Sequence, residues 1–234
     1  MDVTKRTLLH HAVSSQGMFN LGNGLDLIRY IVNLKQKVDV DVNAEKEEVL
    51  FQRIDVNQQD QLGKTALHYA WLNYDSNEKC KPPNIPGIRF LKEQGAIYEK
   101  NESCLEVLRK CLAELTKLAN NGSQLAKRKQ TLFANLYNFA EEFAGLLEPN
   151  VILREWSKEY RKENPGSWPL RDLLALSPKK LRFHQSSEDF EIEKVLKIFV
   201  GEENQSVIKE VVKTEENHEK LNDKSHQSDK SIKK

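Results

Sequence analysis

A Thr-x-Leu-His-x-Ala frame occurs twice in the chain and constrains its fold more than any other feature. The two copies lie at residues 7–12 and 65–70. Each copy also has an aspartate five residues before its threonine, at Asp2 and Asp60. Self-similarity of this kind is typical of repeat proteins, in which each unit buries its apolar face against its neighbours. The frame therefore predicts two equivalent supersecondary units.

The second copy is the more complete one. Residues 60–70 read Asp-Gln-Leu-Gly-Lys-Thr-Ala-Leu-His-Tyr-Ala, after Ile-Asp-Val-Asn at 54–57 and before Ile-Arg-Phe-Leu-Lys-Glu-Gln-Gly-Ala at 88–96. This resembles the ankyrin repeat, with its D-x-x-G-x-T-P/A-L-H-x-A frame and its A-D-V-N and V-x-x-L-L-x-x-G-A strings. The resemblance covers residues 2–102 and implies a hairpin turn and a pair of helices in each repeat.

The residues of the frame have local physical roles. Gly63 allows the positive φ of a tight turn, and Thr65 can cap the helix that follows. Leu67 and Ala70 share one helical face, where the small alanine lets a partner helix approach. The resemblance implies that His68, like His10, bonds loop groups between repeats, and we prefer this role to metal binding or catalysis.

Both copies depart from the family pattern. Lys5 stands in the place of the turn glycine, so we expect an altered first turn. Trp71 stands where a second alanine is usual, and we expect Trp71 and Tyr69 to belong to the core. Insertions lengthen both repeats, and the three prolines within 73–87 predict that no helix forms there.

Two repeats need a cover for their open end. A helix of about 15 residues is predicted after residue 103 from its apolar stripe, with Ser103 and Glu106 as a capping box and a stop at 120–122. Its stripe consists of Leu105, Leu108, Leu112 and Leu115. Further helices are predicted at 124–147, 151–163, 168–176 and from 187 onward.

The predicted fold is therefore all-α. A short ankyrin-repeat array (1–102) packs on a C-terminal helical bundle (103–200), which resembles no family that we recognise. A charged tail follows at 201–234 and contains no aromatic residue. We expect this tail to be mostly disordered, with one short helix around Val207–Val212 and disorder from about Thr214.

Charge and cysteine content narrow the function classes. A net charge of +1 gives no general attraction to nucleic acid or to anionic membranes. Basic and aromatic residues interleave within 151–184, which could form an RNA-binding surface. We prefer the interpretation that the aromatic residues belong to a helical core and the basic residues to its solvent-exposed face. No apolar run is long enough for a membrane helix, and no secretory signal begins the chain. Three cysteines suggest reduced thiols, so we expect a cytoplasmic protein. From the charge and the lack of a long apolar run, we expect that it binds neither nucleic acid nor membrane.

Motifs for catalysis and for cofactors are missing from the sequence. There is no Gly-x-Ser-x-Gly, no His-Glu-x-x-His and no Cys-x-x-Cys. Residues 17–24 imitate the glycine spacing of a phosphate loop, but the Lys-Ser/Thr that binds phosphate and magnesium is absent. We therefore predict no catalytic residue, no metal and no cofactor. An enzyme with an unrecognised active site in 103–200 stays an alternative, which a pocket with a strongly perturbed titratable group would favour.

The resemblance implies that the chain binds a partner protein through the concave surface formed by turn tips and by the ends of the first helices. Carried over to the second repeat, the contact residues are Gln61, Leu62, Lys64, Leu72 and Asn73. In the first repeat they are Val3, Thr4, Arg6, Ser14 and Ser15. Two of these places, Leu62 and Leu72, are apolar, which suits a protein-binding patch; alternatively, the helical bundle folds over them.

A second alternative concerns delivery rather than binding. The tail has glutamates at 215, 216 and 219 and an isoleucine at 232. This is similar to the C-terminal signals of type IV-secreted bacterial effectors, among which ankyrin repeats are common. Under this hypothesis the protein acts in the cytosol of a host cell.

Overall fold

The computed structural model describes residues 4–14, 24–37, 51–71, 83–99, 102–174 and 192–217. The chain divides into two compact units, Met1–Glu99 (the N-terminal unit) and Lys100–Lys234 (the C-terminal unit). The described residues are mostly helical, in agreement with the predicted class. Two short strands are the exception: β1 (Lys35–Lys37) pairs antiparallel with β2 (Phe51–Arg53).

Two helix pairs form the N-terminal unit. They are α1 (Leu8–Ser14) with α2 (Leu25–Asn33), and α3 (Ala66–Trp71) with α4 (Ile85–Glu93). In each pair the two helices pack on each other, and α1 also packs on α3 while α2 packs on α4. The pairs are therefore stacked in the same order.

The repeated frame supplies the contact layer between these helices. Leu9 and Ala12 of the first copy are buried, as are Leu67 and Ala70 at the same places in the second. Because both alanines are small, α1 and α3 approach without a large side chain between them. The second helices add the apolar residues Ile28, Ile31, Val32, Ile88 and Leu91.

The start of α4 corrects the prediction that 73–87 contains no helix. Ile85, Pro86 and Gly87 form its first turn, where a proline costs no helical hydrogen bond. The side-chain oxygen of Asn84 caps this turn by accepting a hydrogen bond from the Gly87 amide at 3.0 Å. The main-chain amide of Asn84 donates to the Ala70 carbonyl at 2.8 Å. Residues 72–82 lie outside the described part of the chain.

The C-terminal unit contains α5 (Glu106–Asn120), α6 (Gln124–Phe143), α7 (Pro149–Glu163), α8 (Pro169–Leu174) and α9 (Ile192–Val200). The long helices α5 and α6 pack on each other, α7 and α8 pack on α6, and α9 packs on α5, α7 and α8. This helical bundle encloses the second core of the chain.

Several predicted helix ends agree with the structure, and two do not. Helix α5 stops at Asn120 before Gly122 (φ 91°), and Ser123 caps α6 by accepting from the Ala126 amide at 3.1 Å. The predicted capping box at Ser103 is wrong, since residues 103–105 form a 3₁₀ turn and α5 begins after it. Helix α6 ends at Phe143 instead of residue 147, ahead of Gly145 (φ 87°).

The α5–α6 contact differs in detail from the predicted stripe. Leu108 and Leu115 are buried, but Leu112 is half-buried and Cys111 is buried beside them. On α6, Lys129 is buried as well. Burial lowers the pKa of this lysine and raises that of the Cys111 thiol.

The tail prediction is right in one part and wrong in another: the short helix expected around Val207–Val212 is present, but it continues to residue 217, where disorder was expected from about Thr214. A 3₁₀ turn at Glu202–Asn204 leads into a helix at 206–217, and its residues Val207, Ile208 and Val211 are buried. Residues 218–234 lie outside the described part.

Besides the buried apolar residues, the polar contacts of Glu215 hold this helix against the rest of the C-terminal unit. Its buried carboxylate accepts hydrogen bonds from the Ser157 hydroxyl at 2.7 Å and from the amides of Leu170 at 3.2 Å and Arg171 at 3.0 Å. Those amides belong to the first turn of α8, where a carboxylate is favoured. Arg154 of α7 adds an ion pair with Glu210 at 2.7 Å.

Candidate functional site

The second turn tip, residues 60–64, is fixed by its aspartate. The Asp60 carboxylate accepts from the amides of Leu62 at 2.8 Å and Lys64 at 2.9 Å. The Asp60 amide donates to the Lys64 carbonyl at 2.9 Å, which closes the turn. Gly63 takes the left-handed conformation that the turn requires, with φ 71°. The side chain of Leu62 is left 67% exposed on a backbone that is rigidly held.

The first turn tip, residues 4–6, has a positive φ at the place of the turn glycine. Lys5 has φ 56°, the one positive φ of a non-glycine residue in the described ranges. Lys5 therefore takes the left-handed conformation of the glycine at the cost of steric strain, while residues 1–3, with the rest of this turn, lie outside the described part of the chain. The Thr4 carbonyl accepts from the Gln61 amide at 3.1 Å, so the two tips lie side by side.

The threonine and histidine of each frame form the same cap. The amide and hydroxyl of Thr7 approach Nδ1 of His10 at 3.1 and 2.8 Å. Those of Thr65 approach Nδ1 of His68 at 3.2 and 3.0 Å. An Nδ1 that accepts a hydrogen bond carries no proton, so the proton sits on Nε2 in a neutral ring. Burial, together with the charge of Lys64, lowers the pKa of His68 and favours this neutral form.

Polar contacts tie the two copies together. Nε2 of His10 donates to the Lys64 carbonyl at 3.0 Å, and the ring of His10 meets that of Tyr69 edge-on at 5.6 Å. The Tyr69 hydroxyl donates to Asp60 at 2.6 Å. The guanidinium of Arg6 lies 4.7 Å from the centre of the Tyr69 ring, and its Nε is 3.8 Å from Asp60. These four side chains and the Lys64 carbonyl form an inter-copy cluster.

The cluster shifts the pKa values of its two acidic members in opposite directions. Burial alone would raise the pKa of Asp60, but hydrogen bonds from Tyr69 and from two backbone amides outweigh burial and lower it. Burial raises the pKa of Tyr69, and its bond to the Asp60 carboxylate adds to the rise. Tyr69 and Trp71 were both expected in the core, but both are half-buried. The Tyr69 hydroxyl makes a polar contact with Asp60.

The predicted contact residues divide into three groups. Gln61 and Leu62 are exposed at the second tip, and Lys64 is half-buried beside them. Arg6 is engaged with Asp60 and Tyr69, while the Ser14 hydroxyl donates to the His11 carbonyl at 3.1 Å. Leu72 and Asn73 lie outside the described residues, as do Val3 and Ser15.

A second concave region lies in the C-terminal unit. This cleft has a volume of about 540 Å³ between the 3₁₀ turn at 103–105, the start of α7 and the end of α9. Its polar lining includes Cys104, Glu148 and Glu203. Burial raises the pKa of Cys104, so its sulfur is a protonated thiol at neutral pH and a poor nucleophile. Among the described residues that line the cleft there is no histidine to act as a base.

Three other features bear on chemistry. Cys104 and Cys111 are free thiols; Cys80 lies outside the described residues. Within the described ranges, no three His, Cys, Asp or Glu side chains gather in a group that could hold a metal ion. The helices described for this chain include none with the length and apolar character needed to cross a membrane.

The comparisons with known proteins do not add to this geometry. No protein-family model, no curated protein and no solved structure matches the chain.

Proposed function

We propose that the N-terminal unit is a pair of ankyrin-type repeats and that its two turn tips bind a partner protein. The observation that carries the proposal is Leu62, a large apolar side chain that is 67% exposed at the tip of a rigid turn. An apolar side chain held out to solvent by a fixed backbone is a typical anchor of a protein interface, since little conformational freedom is lost on binding.

The equivalence of the two copies supports the repeat assignment. Each copy has a residue of positive φ in its turn, a threonine–histidine cap, and a buried leucine and alanine three residues apart. Each is followed by a second helix, and the two pairs stack in the same order. Ankyrin-type units bury their faces by stacking in this manner.

The inter-copy cluster supports binding at the tips rather than elsewhere on the unit. Asp60 and His10 hold the backbone of the second tip at Leu62 and Lys64. A preorganised tip of this kind presents its side chains in one geometry to a partner.

The described residues give less support to the two alternatives, an enzyme and a secreted effector. For an enzyme, the cleft offers a protonated thiol and two solvent-facing carboxylates, an arrangement that specifies no reaction. For a secreted effector, Glu215 of the glutamate cluster is buried and bonded to Ser157 and α8, so its presence has a structural explanation. Protein binding is the function that the geometry supports best.

Quantitative affinity capture from labelled lysate tests the proposal. The bait is the full chain, compared with Leu62→Glu and with the matched control Leu8→Glu, whose leucine is 68% exposed at the start of α1. Circular dichroism first verifies that both variants fold. We expect partners to be lost by Leu62→Glu and retained by Leu8→Glu. Partners that bind Leu62→Glu undiminished, or that are lost equally from both variants, would contradict a site at the turn tips.

A further inference from the structure

The two turn tips present one continuous surface. The Thr4 carbonyl and the Gln61 amide are hydrogen-bonded at 3.1 Å, and the next residues along the chain are Lys5 in the first tip and Leu62 in the second. Both Lys5 and Leu62 are exposed, and Lys64 follows at the far side of the second turn. We call this the tip surface: Lys5, Gln61, Leu62 and Lys64.

The charged residues of the tip surface, Lys5 and Lys64, are both cationic. Residues 4–14 and 60–71 contain three cationic residues, Lys5, Arg6 and Lys64, and a single acidic one, Asp60. The Asp60 side chain is completely buried and accepts from Leu62, Lys64 and Tyr69. Its charge is offset by Arg6, whose Nε is 3.8 Å away. The acid therefore does not neutralise the two lysines.

Lys5 and Lys64 form no salt bridge with any residue in the described ranges. Within the described residues, these two lysines belong to the same pair of turn tips that presents the exposed Leu62 on a hydrogen-bonded backbone. A ligand that complements this surface has carboxylates for the lysines and an apolar side chain for Leu62.

Nucleic acid fits the surface less well than a peptide. Binding through phosphates typically uses about six to ten cationic contacts, whereas the tip surface has two lysines, and the chain as a whole has a net charge of +1. A phosphate backbone also offers nothing apolar to cover Leu62.

We propose that the tip surface recognises an acidic peptide segment that contains at least one large apolar side chain. This inference rests on the proposed function and specifies the chemistry of its partner. The lysines steer and hold the carboxylates, and the leucine supplies the desolvated centre of the contact.

Peptide selection tests this inference. The full chain is immobilised and a random 16-residue peptide library displayed on phage is selected against it. Enriched peptides are synthesised, and their affinities are measured for the wild type, Leu62→Glu and Lys5→Asn/Lys64→Gln. Asparagine is chosen at position 5 because it tolerates positive φ. We expect enriched peptides to be net acidic with a large apolar residue. We expect about tenfold weaker binding to the lysine double variant at low salt, and less difference at high salt.

Three kinds of result would overturn the inference in distinguishable ways. Neutral or basic peptides that lose affinity on Leu62→Glu, but not on Lys5→Asn/Lys64→Gln, would refute the acidic partner and leave the binding site in place. Failure to enrich any peptide, or peptides that bind Leu62→Glu as well as wild type, would refute both this inference and the proposed function. A duplex DNA oligonucleotide that binds more tightly than the selected peptides would likewise refute the peptide assignment.

Discussion

In the N-terminal unit, Nε2 of His10 donates a 3.0 Å hydrogen bond to the main-chain carbonyl of Lys64, 54 residues further along the chain. The same ring accepts from Thr7 through Nδ1. One neutral imidazole therefore caps its own helix and fixes the turn of the next copy. The double role of His10 needs a side chain with one acceptor and one donor nitrogen, which the histidine ring supplies.

Replacement of the two histidines should separate these roles. His68 makes the same cap with Thr65, and among the described residues it forms no hydrogen bond with a turn of the other copy. We expect His10→Ala to lower the free energy of unfolding by roughly 1 kcal/mol more than His68→Ala, because it also loses the Lys64 bond. Urea denaturation of both variants measures the difference. Equal losses would show that the inter-copy bond does not stabilise the fold.

The backbone strain at Lys5 can be removed. We expect Lys5→Gly to raise the free energy of unfolding by roughly 1 kcal/mol, because a lysine side chain is disfavoured at φ 56° and a glycine is not.

The second turn provides the matched reverse experiment. A Cβ at Gly63 would meet nothing closer than the Gln59 Oε1 atom at 4.0 Å, so Gly63→Ala isolates the conformational cost at φ 71°. Gly63→Ala should lower the free energy of unfolding by roughly the amount by which Lys5→Gly raises it. Thermal denaturation of both variants checks the signs; a destabilised Lys5→Gly would contradict the account of the first turn.

Asp60 should make stability fall in acid. Its pKa is lowered in the folded state, so its carboxylate stabilises the fold above its unfolded pKa of about 3.9 and loses that effect as the pH falls through the lower folded value. The difference in unfolding free energy between wild type and Asp60→Asn should therefore shrink between about pH 6 and pH 3. A constant difference for Asp60→Asn would refute the assignment.

Glu215 should stabilise the C-terminal unit through its three acceptor bonds. Glu215→Gln directs an amide NH₂ group at donors that need an acceptor, so we expect a loss of roughly 2 kcal/mol. The neighbouring Glu216 is exposed, and Glu216→Gln should change stability little. Urea denaturation, with amide hydrogen exchange over residues 206–217, measures the stability of both variants. An unchanged stability of Glu215→Gln would mean that the buried carboxylate does not stabilise the C-terminal unit.

Features encoded by neighbouring residues were predictable from the sequence. Gly63 in the second turn and Gly122 after α5 both adopt positive φ. Ser123 caps α6 as a serine at a helix start commonly does. The buried leucine and alanine of each frame follow directly from helical periodicity.

Features that depend on distant partners were missed for a physical reason. Glu215 lies in a charged tail, and its role exists only because Ser157 and the start of α8 point donors at it. Likewise, lysine does not favour positive φ, so its own residue type does not predict the φ 56° of Lys5. Lys5 follows Thr4, whose carbonyl accepts a hydrogen bond from the Gln61 amide of the other tip. The cluster of Arg6 with Tyr69 joins two copies, and no spacing within either copy predicts it.

Site-specific photo-crosslinking tests the central claim most directly. A benzoylphenylalanine replaces Leu62 in one full-length variant and Tyr30, 65% exposed on α2, in a control. Both variants are irradiated in the same lysate and their adducts are resolved by mass. We predict discrete protein adducts at position 62 that are absent at position 30 and reduced by Lys5→Asn/Lys64→Gln. No adducts at position 62, or the same adducts at both positions, would contradict partner binding at the turn tips.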